Sequence, residues 1–315
     1  MYNIIGKRYG FFLISGLLIL VSIIALATLG LNSGIEFSSG SMLSVKFETA
    51  VDYAQFKKAV IEQGYKDAIV QTVGENEFLI RTKELTEAEK TQIETTLSAQ
   101  FGQFSESQFY SVSPLVATET VRSAIIAVVV AMVGILLYVT WAFRRMPKAF
   151  RWGTCSIIAL FHDALVTVGL FAIFGAILKW EINLMFITGI LTVIGYSINN
   201  TIVVFDRIRE NEIRGVSASF ETIVNNSQVE TLGRSLNTSI TTLITSLALL
   251  LFVGATIQNF AVVLIIGIVV GTFDSLFVAP GLLVVWDKNE WGRFIGRSLQ
   301  PAAETKKPVA EAKSR

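Results

Sequence analysis

Inside an apolar run from Thr154 to Leu178, a histidine and an aspartate stand side by side at His162 and Asp163. A second carboxylate, Asp274, interrupts another such run, and Ser197, Asn199 and Asn200 cluster in a third. Arg234 opens a fourth, in which Asn237, Thr241 and Thr245 recur at i, i+4 and i+8 and so share one helix face. Carboxylates and an imidazole within hydrocarbon-grade sequence are the groups that bind and release protons. A charge at a bilayer centre costs at least about 2.5 to 3.5 kcal/mol, so these groups are expected to turn inward. Asp274 has three ways to meet that cost: a cation, a bound proton, or water in a cavity. Amides and hydroxyls have the plainer use of interhelical hydrogen bonds, each worth about 0.6 kcal/mol. His162, the only histidine, fits either role, and on a helix it points about 100° away from Asp163, so the two need not pair.

The elements that must carry these groups are membrane helices. The 315 residues are 52% hydrophobic and 16% charged with mean hydropathy +0.58, too apolar for an ordinary soluble domain. Six runs approach the roughly 20 apolar residues that cross a hydrocarbon core of about 30 Å. They are Phe11 to Leu29, Ser123 to Phe143, Thr154 to Leu178, Ile182 to Phe205, Leu236 to Ile257 and Asn259 to Trp286. Lys7 and Arg8 before the first run, with Ala25-Leu26-Ala27 at its end, also have the look of a secretory signal. That run exceeds the roughly 7 to 15 residues of a signal's apolar core, and five spans follow it, so an anchored first helix is expected. Counted from their outer ends, Asn200 lies about 17 to 18 residues into the fourth span and Asp274 about 15 into the sixth. At about 1.5 Å per residue they share a depth within a few ångströms.

Basic residues of the short connections set the orientation. Lys7 and Arg8, Arg144 to Arg151, Arg207 to Arg234, and Arg293 and Arg297 fall on one side, while the other has only Lys179 in its short turns. Both termini are therefore expected in the cytoplasm.

Between the first two spans, Leu31 to Val121 is polar and changes period. "SMLSVKFE" from Ser41 alternates as a strand, "DYAQFKKAVIEQG" from Asp52 has helical spacing, and "DAIVQTV" and "NEFLIRT" read as a strand pair joined at Gly74 to Asn76. "TEAEKTQIETTLSAQF" is a helix opened by Thr86, and "SQFYSVS" from Ser107 is a last strand. The order β-α-β-β-α-β predicts a small α+β ferredoxin-like domain outside the membrane. It carries seven Lys and Arg against thirteen Asp and Glu, which argues against nucleic acid as a partner. The lone Cys155 excludes an internal disulfide and any cysteine-based metal cluster, and is expected to serve packing. The tail from residue 291, rich in Ala, Lys, Glu and Pro, reads as a disordered end. No phosphate-binding glycine loop, catalytic triad order or His-Glu metal helix appears, so no ATPase or hydrolase, cofactor or metal is expected.

Five stretches carry a resemblance to one family. They are "GKRYGFF" before the first span, "GLNSGIEFSSG" (Gly30 to Gly40, with Gly34, Glu36 and Phe37), "HDALVTVG" (His162 to Gly169), "TVIGYSINNTIVVFDRIRENE" (Thr192 to Glu212) and "LNTSITTL" (Leu236 to Leu243). Together, in order and from residue 4 to about 290, the chain resembles SecF, which works with SecD beside the Sec channel. The resemblance implies half of an RND-type transporter, completed by six helices from SecD, in a bacterial cytoplasmic membrane. It implies use of the proton gradient to draw a translocating polypeptide out of SecYEG, with protons as the coupling ion.

The sequence also departs from that family. Its members usually place an aspartate where Asn200 stands, as the proton-handling acid, with an arginine matching Arg234 as its cationic companion; an amide cannot titrate. Glu36 replaces an aspartate and Ser39 the first glycine of a pair, while Asp274 stands where a serine is usual. The expectation is that Asp274 takes over the missing carboxylate's role, facing Asn200 and Arg234. Two other readings remain: a scaffold that stabilises SecD with the channel and carries no protons, and an RND-like exporter half-subunit. The extracytoplasmic domain of about 90 residues is small for an exporter's porter domain. The segment Asp206 to Ser235, with balanced charge, is expected to touch channel subunits or to lie on the membrane surface.

Overall fold

In this computed structural model the described residues are 2–178, 180–252 and 255–295; Lys179, Arg297 and the tail from residue 296 lie outside them. Among the described residues six helices are long and apolar enough to cross a membrane. The first is α1 (Arg8–Thr28). A four-residue turn, α2 (Ile35–Ser38), leads into the small domain: β1 (Gly40–Phe47), α3 (Tyr53–Glu62), β2 (Ile69–Gly74), β3 (Glu77–Thr82), α4 (Glu87–Phe101) and β4 (Phe104–Val112). The bundle continues with α5 (Pro114–Ala142), α6 (Phe150–Leu178), α7 (Leu184–Ile213), α8 (Phe220–Phe252) and α9 (Ala255–Phe273). A π-helical turn over Asp274–Val278 joins α9 to α10 (Ala279–Asp287) within the last membrane helix.

Three boundaries differ from the hydropathy reading, each for a local reason. The second span begins at Pro114 rather than Ser123, because Ser113 accepts a hydrogen bond from the Val116 amide and Pro114 fits the first turn. The fifth begins at Phe220 rather than Leu236, because its polar first turns pack on the end of α7 through Arg207–Glu230 and Asn211–Ser227 contacts. Asp206 to Ser235 is thus built largely of two helix extensions packed together. The described part of the fifth span closes at Phe252 and that of the sixth opens at Ala255, short of the expected Ile257, because apolar residues on both sides give hydropathy no break to mark.

The four strands form one antiparallel sheet in the order β2-β3-β1-β4, the ferredoxin-like arrangement. Alternation in β1 sends Leu43, Val45 and Phe47 to a core completed by Phe56, Phe78, Ile80, Ile93 and Leu97. The Phe56 and Phe78 rings stack at 4.4 Å. Both helices are capped from their own sequence. Asp52 accepts from the Gln55 amide, and Thr86 and Glu89 form a reciprocal capping box. The backbone and side-chain hydrogen bonds from Thr86 hold the Glu89 carboxyl below its ordinary range. The last strand starts at Phe104, before the expected Ser107.

A glycine-bearing link ties this domain to the bundle. The Gly34 amide donates to the Ile182 carbonyl at 2.8 Å, the Ile182 amide donates back to Asn32, and Ser33 bridges Ile182. A Cβ on Gly34 would stand 2.9 Å from the Ile182 oxygen, and one on Gly40 would stand 2.5 Å from the Thr82 oxygen. Glu36 and Phe37 are half-buried in the turn between them. Ser39 holds φ 64 and ψ 167, a conformation natural to glycine that costs another residue about 1–3 kcal/mol. Arg81 on β3 pairs with the buried Glu181 in the turn between α6 and α7. The domain is therefore fastened to the ends of α6 and α7, the helices that carry His162, Asp163 and Ser197.

Candidate functional site

The site is built where α6, α7 and the last membrane helix pack too closely for large side chains. A Cβ on Gly189 of α7 would meet Val263 at 2.9 Å, and Gly267 lies against Val193 more tightly still. One turn on, a Cβ on Gly271 would stand 3.0 Å from the Ser197 Cβ and 3.3 Å from Asp163 Oδ2. Small residues let membrane helices approach until side-chain hydroxyls reach across. Ser275 Oγ donates to the Ser197 carbonyl at 3.1 Å and shares a 2.9 Å hydrogen bond with Thr201 Oγ1.

At this contact three titratable groups meet. His162 Nδ1 lies 3.2 Å from Asp163 Oδ1 and 3.4 Å from Asp274 Oδ1, so one ring nitrogen faces two carboxylates. Ser197 Oγ donates to the other oxygen of Asp163. Asp163 and Asp274 are both 0% exposed and His162 4%. Among the described residues neither oxygen of Asp274 has a hydrogen-bond partner, nor does His162 Nε2. Buried polar atoms of this kind are rare and costly, roughly 1–3 kcal/mol each, and call for a functional reason.

The π turn explains why Asp274 can stand here. Pro280 has no amide hydrogen, and its ring displaces the carbonyl four residues earlier, that of Leu276. Widening the helix by one residue relieves the clash, and Gln228 of α8 donates to the freed Leu276 carbonyl at 2.7 Å. Asp274 is the first residue of that widened turn, so its backbone sits where the helix is least regular.

The residues singled out from sequence divide into two groups. His162, Asp163, Ser197 and Asp274 come together, and His162 meets Asp163 despite their angular separation because side-chain torsions close the gap. Asn200 is 3% exposed with its amide nitrogen unpartnered. Arg234, Asn199, Asn237, Thr241 and Thr245 are exposed on the outside of the bundle. The expectation that Asp274 faces Arg234 is therefore corrected: Arg234 points away, makes no ion pair among the described residues, and Asp274 meets His162 instead. The interhelical hydrogen bonds expected of the α8 stripe are also not made among the described residues. Thr241 and Thr245 donate to Thr238 and Thr241 carbonyls of their own helix, at 2.9 and 3.0 Å. Cys155 is buried and free, as packing.

Sequence reasoning missed the hydroxyls of Thr201 and Ser275, Gln228, and a chain from Tyr196 to Ser239 to Thr272 at 3.0 and 2.6 Å. Pro280, six residues beyond Asp274, was the available signal for the broken helix. No comparable signal marks the hydroxyls, since single serines and threonines are common in membrane helices.

Comparison with known proteins gives consistent matches. Residues 92–289 match the model of the protein export membrane protein SecD/SecF C-terminal region, and residues 24–51 match the SecD/SecF GG motif. The protein translocase subunit SecF of Thermobaculum terrenum is 43% identical over 97% of this chain and 100% of its own length. The subunit of the same name from Anaerolinea thermophila is 38% identical over 96% and 100%. Among solved structures, SecDF of Thermus thermophilus, a translocon-associated membrane protein, aligns with TM-score 0.79 at 32% identity over 91% of this chain. The chain spans 38% of that SecDF chain. A second solved structure, of SecDF in a super-membrane-facing form, gives TM-score 0.66 at 29% identity.

Proposed function

The chain belongs to the SecD/SecF family of protein-export membrane proteins as a SecF, and from that premise we propose that it pairs with a SecD and uses the proton gradient to promote late steps of export. One observation supports the pairing above others: α7 and α8 turn Asn199, Arg234, Asn237, Thr241 and Thr245 outward. Arg234 stands at the cytoplasmic end of its span, but the amides and hydroxyls of Asn199, Asn237, Thr241 and Thr245 run along the membrane-spanning part, and such polar faces usually turn to another helix and not to lipid. SecD is the partner whose six helices complete a twelve-helix transporter. The basic ends of the spans then lie in the cytoplasm with both termini, the small domain lies outside, and the membrane is the bacterial cytoplasmic one. SecYEG and the emerging unfolded polypeptide are the further partners. The role is that of a transport subunit and not of an enzyme, and the embedded carboxylates and imidazole are the groups suited to a proton-driven cycle.

A scaffold that stabilises SecD without handling protons is favoured only by Asn200. The two readings separate in cells whose own SecF is replaced by this chain together with its SecD. The expected outcome is that the chain co-purifies with SecD and that restored export falls when an uncoupler collapses the gradient at constant ATP. Export indifferent to the gradient would establish the scaffold, and failure to co-purify would remove the partner.

A further inference from the structure

We propose that the intramembrane proton site of this chain has moved from the α7 position held by Asn200 to the cluster of His162, Asp163 and Asp274. This rests on the proton-driven reading above. Four observations carry it. The amide at position 200 has no proton to exchange in the physiological range. Asp274 is 0% exposed, yet both its oxygens lack hydrogen-bond partners, so the carboxylate is not held by structural bonds. A single nitrogen, His162 Nδ1, lies within 3.4 Å of both carboxylates, and it can serve only one of them with one hydrogen. Asp274 also opens the π turn, whose Leu276 carbonyl is held by Gln228 from another helix.

The transfer balances without other reactants. A proton on Asp274 Oδ1 passes to Nδ1 of a neutral ring, leaving a carboxylate and an imidazolium. The same nitrogen then releases a proton to Asp163 Oδ1, the neutral ring is restored, and one proton has moved from α9–α10 to α6 with no change of electrons. The first stage turns the first residue of the widened turn, whose backbone spacing is already irregular, into a carboxylate, and its reprotonation reverses the change. Proton occupancy and the angle between α9 and α10 are thereby linked, which is what a gradient-driven cycle requires.

Few other charges bear on the cluster. From α7 the same turn is faced by Ser197 and Thr201, and from α8 by Gln228, none of them titratable in this range. Arg8 on α1 pairs with Glu221 and Glu290, Asp206 with Arg209, and Asp287 on α10 with Arg151, while Arg234 is exposed. One nitrogen or oxygen atom from each of the three residues lies within 4.8 Å of those of the other two, close enough for a small cation to compete with the proton.

The test uses vesicles carrying the chain with its SecD and measures how far an imposed pH gradient stimulates preprotein translocation. Wild type is expected to be stimulated, Asp274→Asn to lose at least ten-fold of that stimulation, and the double variant Asp274→Ser with Asn200→Asp to regain it. Stimulation that survives in Asp274→Asn overturns the relocation alone. A wild type driven by a sodium gradient and not by protons overturns it in favour of cation binding, and a wild type indifferent to both overturns it together with the proton-driven reading. A measurement independent of transport guards against poor assembly. The infrared carboxyl band of the purified complex is expected to titrate in wild type and to lose one component in Asp274→Asn; identical spectra would also overturn the proposal.

Discussion

The small domain and the membrane bundle differ in where they keep their titratable groups. In the domain, polar side chains at helix ends are satisfied by residues three positions away, as in Asp52 with Gln55 and Thr86 with Glu89. In the bundle, buried polar groups meet across long stretches of chain: Asp163 with Ser197, Thr201 with Ser275, Gln228 with Leu276. The bundle also holds buried atoms with no partner, among them both Asp274 oxygens, His162 Nε2 and the Asn200 amide. The domain's caps are local and exposed and its buried Ser41 is met by the Leu85 amide and the Ser111 hydroxyl, whereas the bundle buries titratable groups and leaves them partly uncompensated. A partner chain cannot settle the debt at Asp274, because the residue is 0% exposed within this chain alone.

If that contrast holds, the domain's stability should depend on its apolar core. Phe56 is fully buried, stacks on Phe78 at 4.4 Å and touches Phe47 edge-on at 5.7 Å. Phe56→Ala is expected to cost about 3–5 kcal/mol, enough to unfold a domain of this size. Limited proteolysis of the full-length protein checks it: the domain should become cleavable while the membrane helices stay intact. Cleavage spreading into the bundle would mean that the two regions do not fold independently.

The contrast also explains what could be read from sequence. The domain's strand order was legible because period-2 alternation and caps lie within short windows, as at Leu43, Val45 and Phe47 or Thr86 and Glu89. The six spans were legible from hydropathy alone. Which polar residues mattered was visible at His162, Asp163 and Asp274, because charge in hydrocarbon stands out. Their partners were not, since pairing depends on helix rotation and on the π turn, and a helical wheel has no means of predicting an extra residue per turn. Arg234 failed for that reason: its helix was identified, but its outward face was not.

A middle-sized effect should come from a bundle residue whose donor is satisfied. Gln228 donates to Leu276, while its own Oε1 has no partner, so only the donor matters. Gln228→Leu keeps the volume nearly constant and leaves the Leu276 carbonyl orphaned beside Pro280. The expected cost is about 1–3 kcal/mol in denaturant unfolding of the purified complex. No loss would mean that the π turn satisfies itself, and Gln228 would then be no part of the link between the broken helix and α8.

The smallest effect on stability is expected at the most costly-looking residue. Asp274→Asn removes a fully buried carboxylate whose oxygens accept no hydrogen bond, and substitutes an isosteric amide that can never be ionised. What is lost is the contact with His162 Nδ1 at 3.4 Å; what is relieved is the burden of a second carboxylate beside Asp163. Replacing one member of a well-compensated buried ion pair usually costs about 3–5 kcal/mol, because the other charge is stranded. Here Asp163 keeps both His162 and Ser197, so nothing is stranded and the change should lie within about 0.5 kcal/mol of zero, on either side. Thermal unfolding of the variant complex measures it directly. A loss of several kcal/mol would make Asp274 a structural member of the bundle, obeying the domain's rule, whereas near-neutral stability leaves its presence to be explained by the proton it carries.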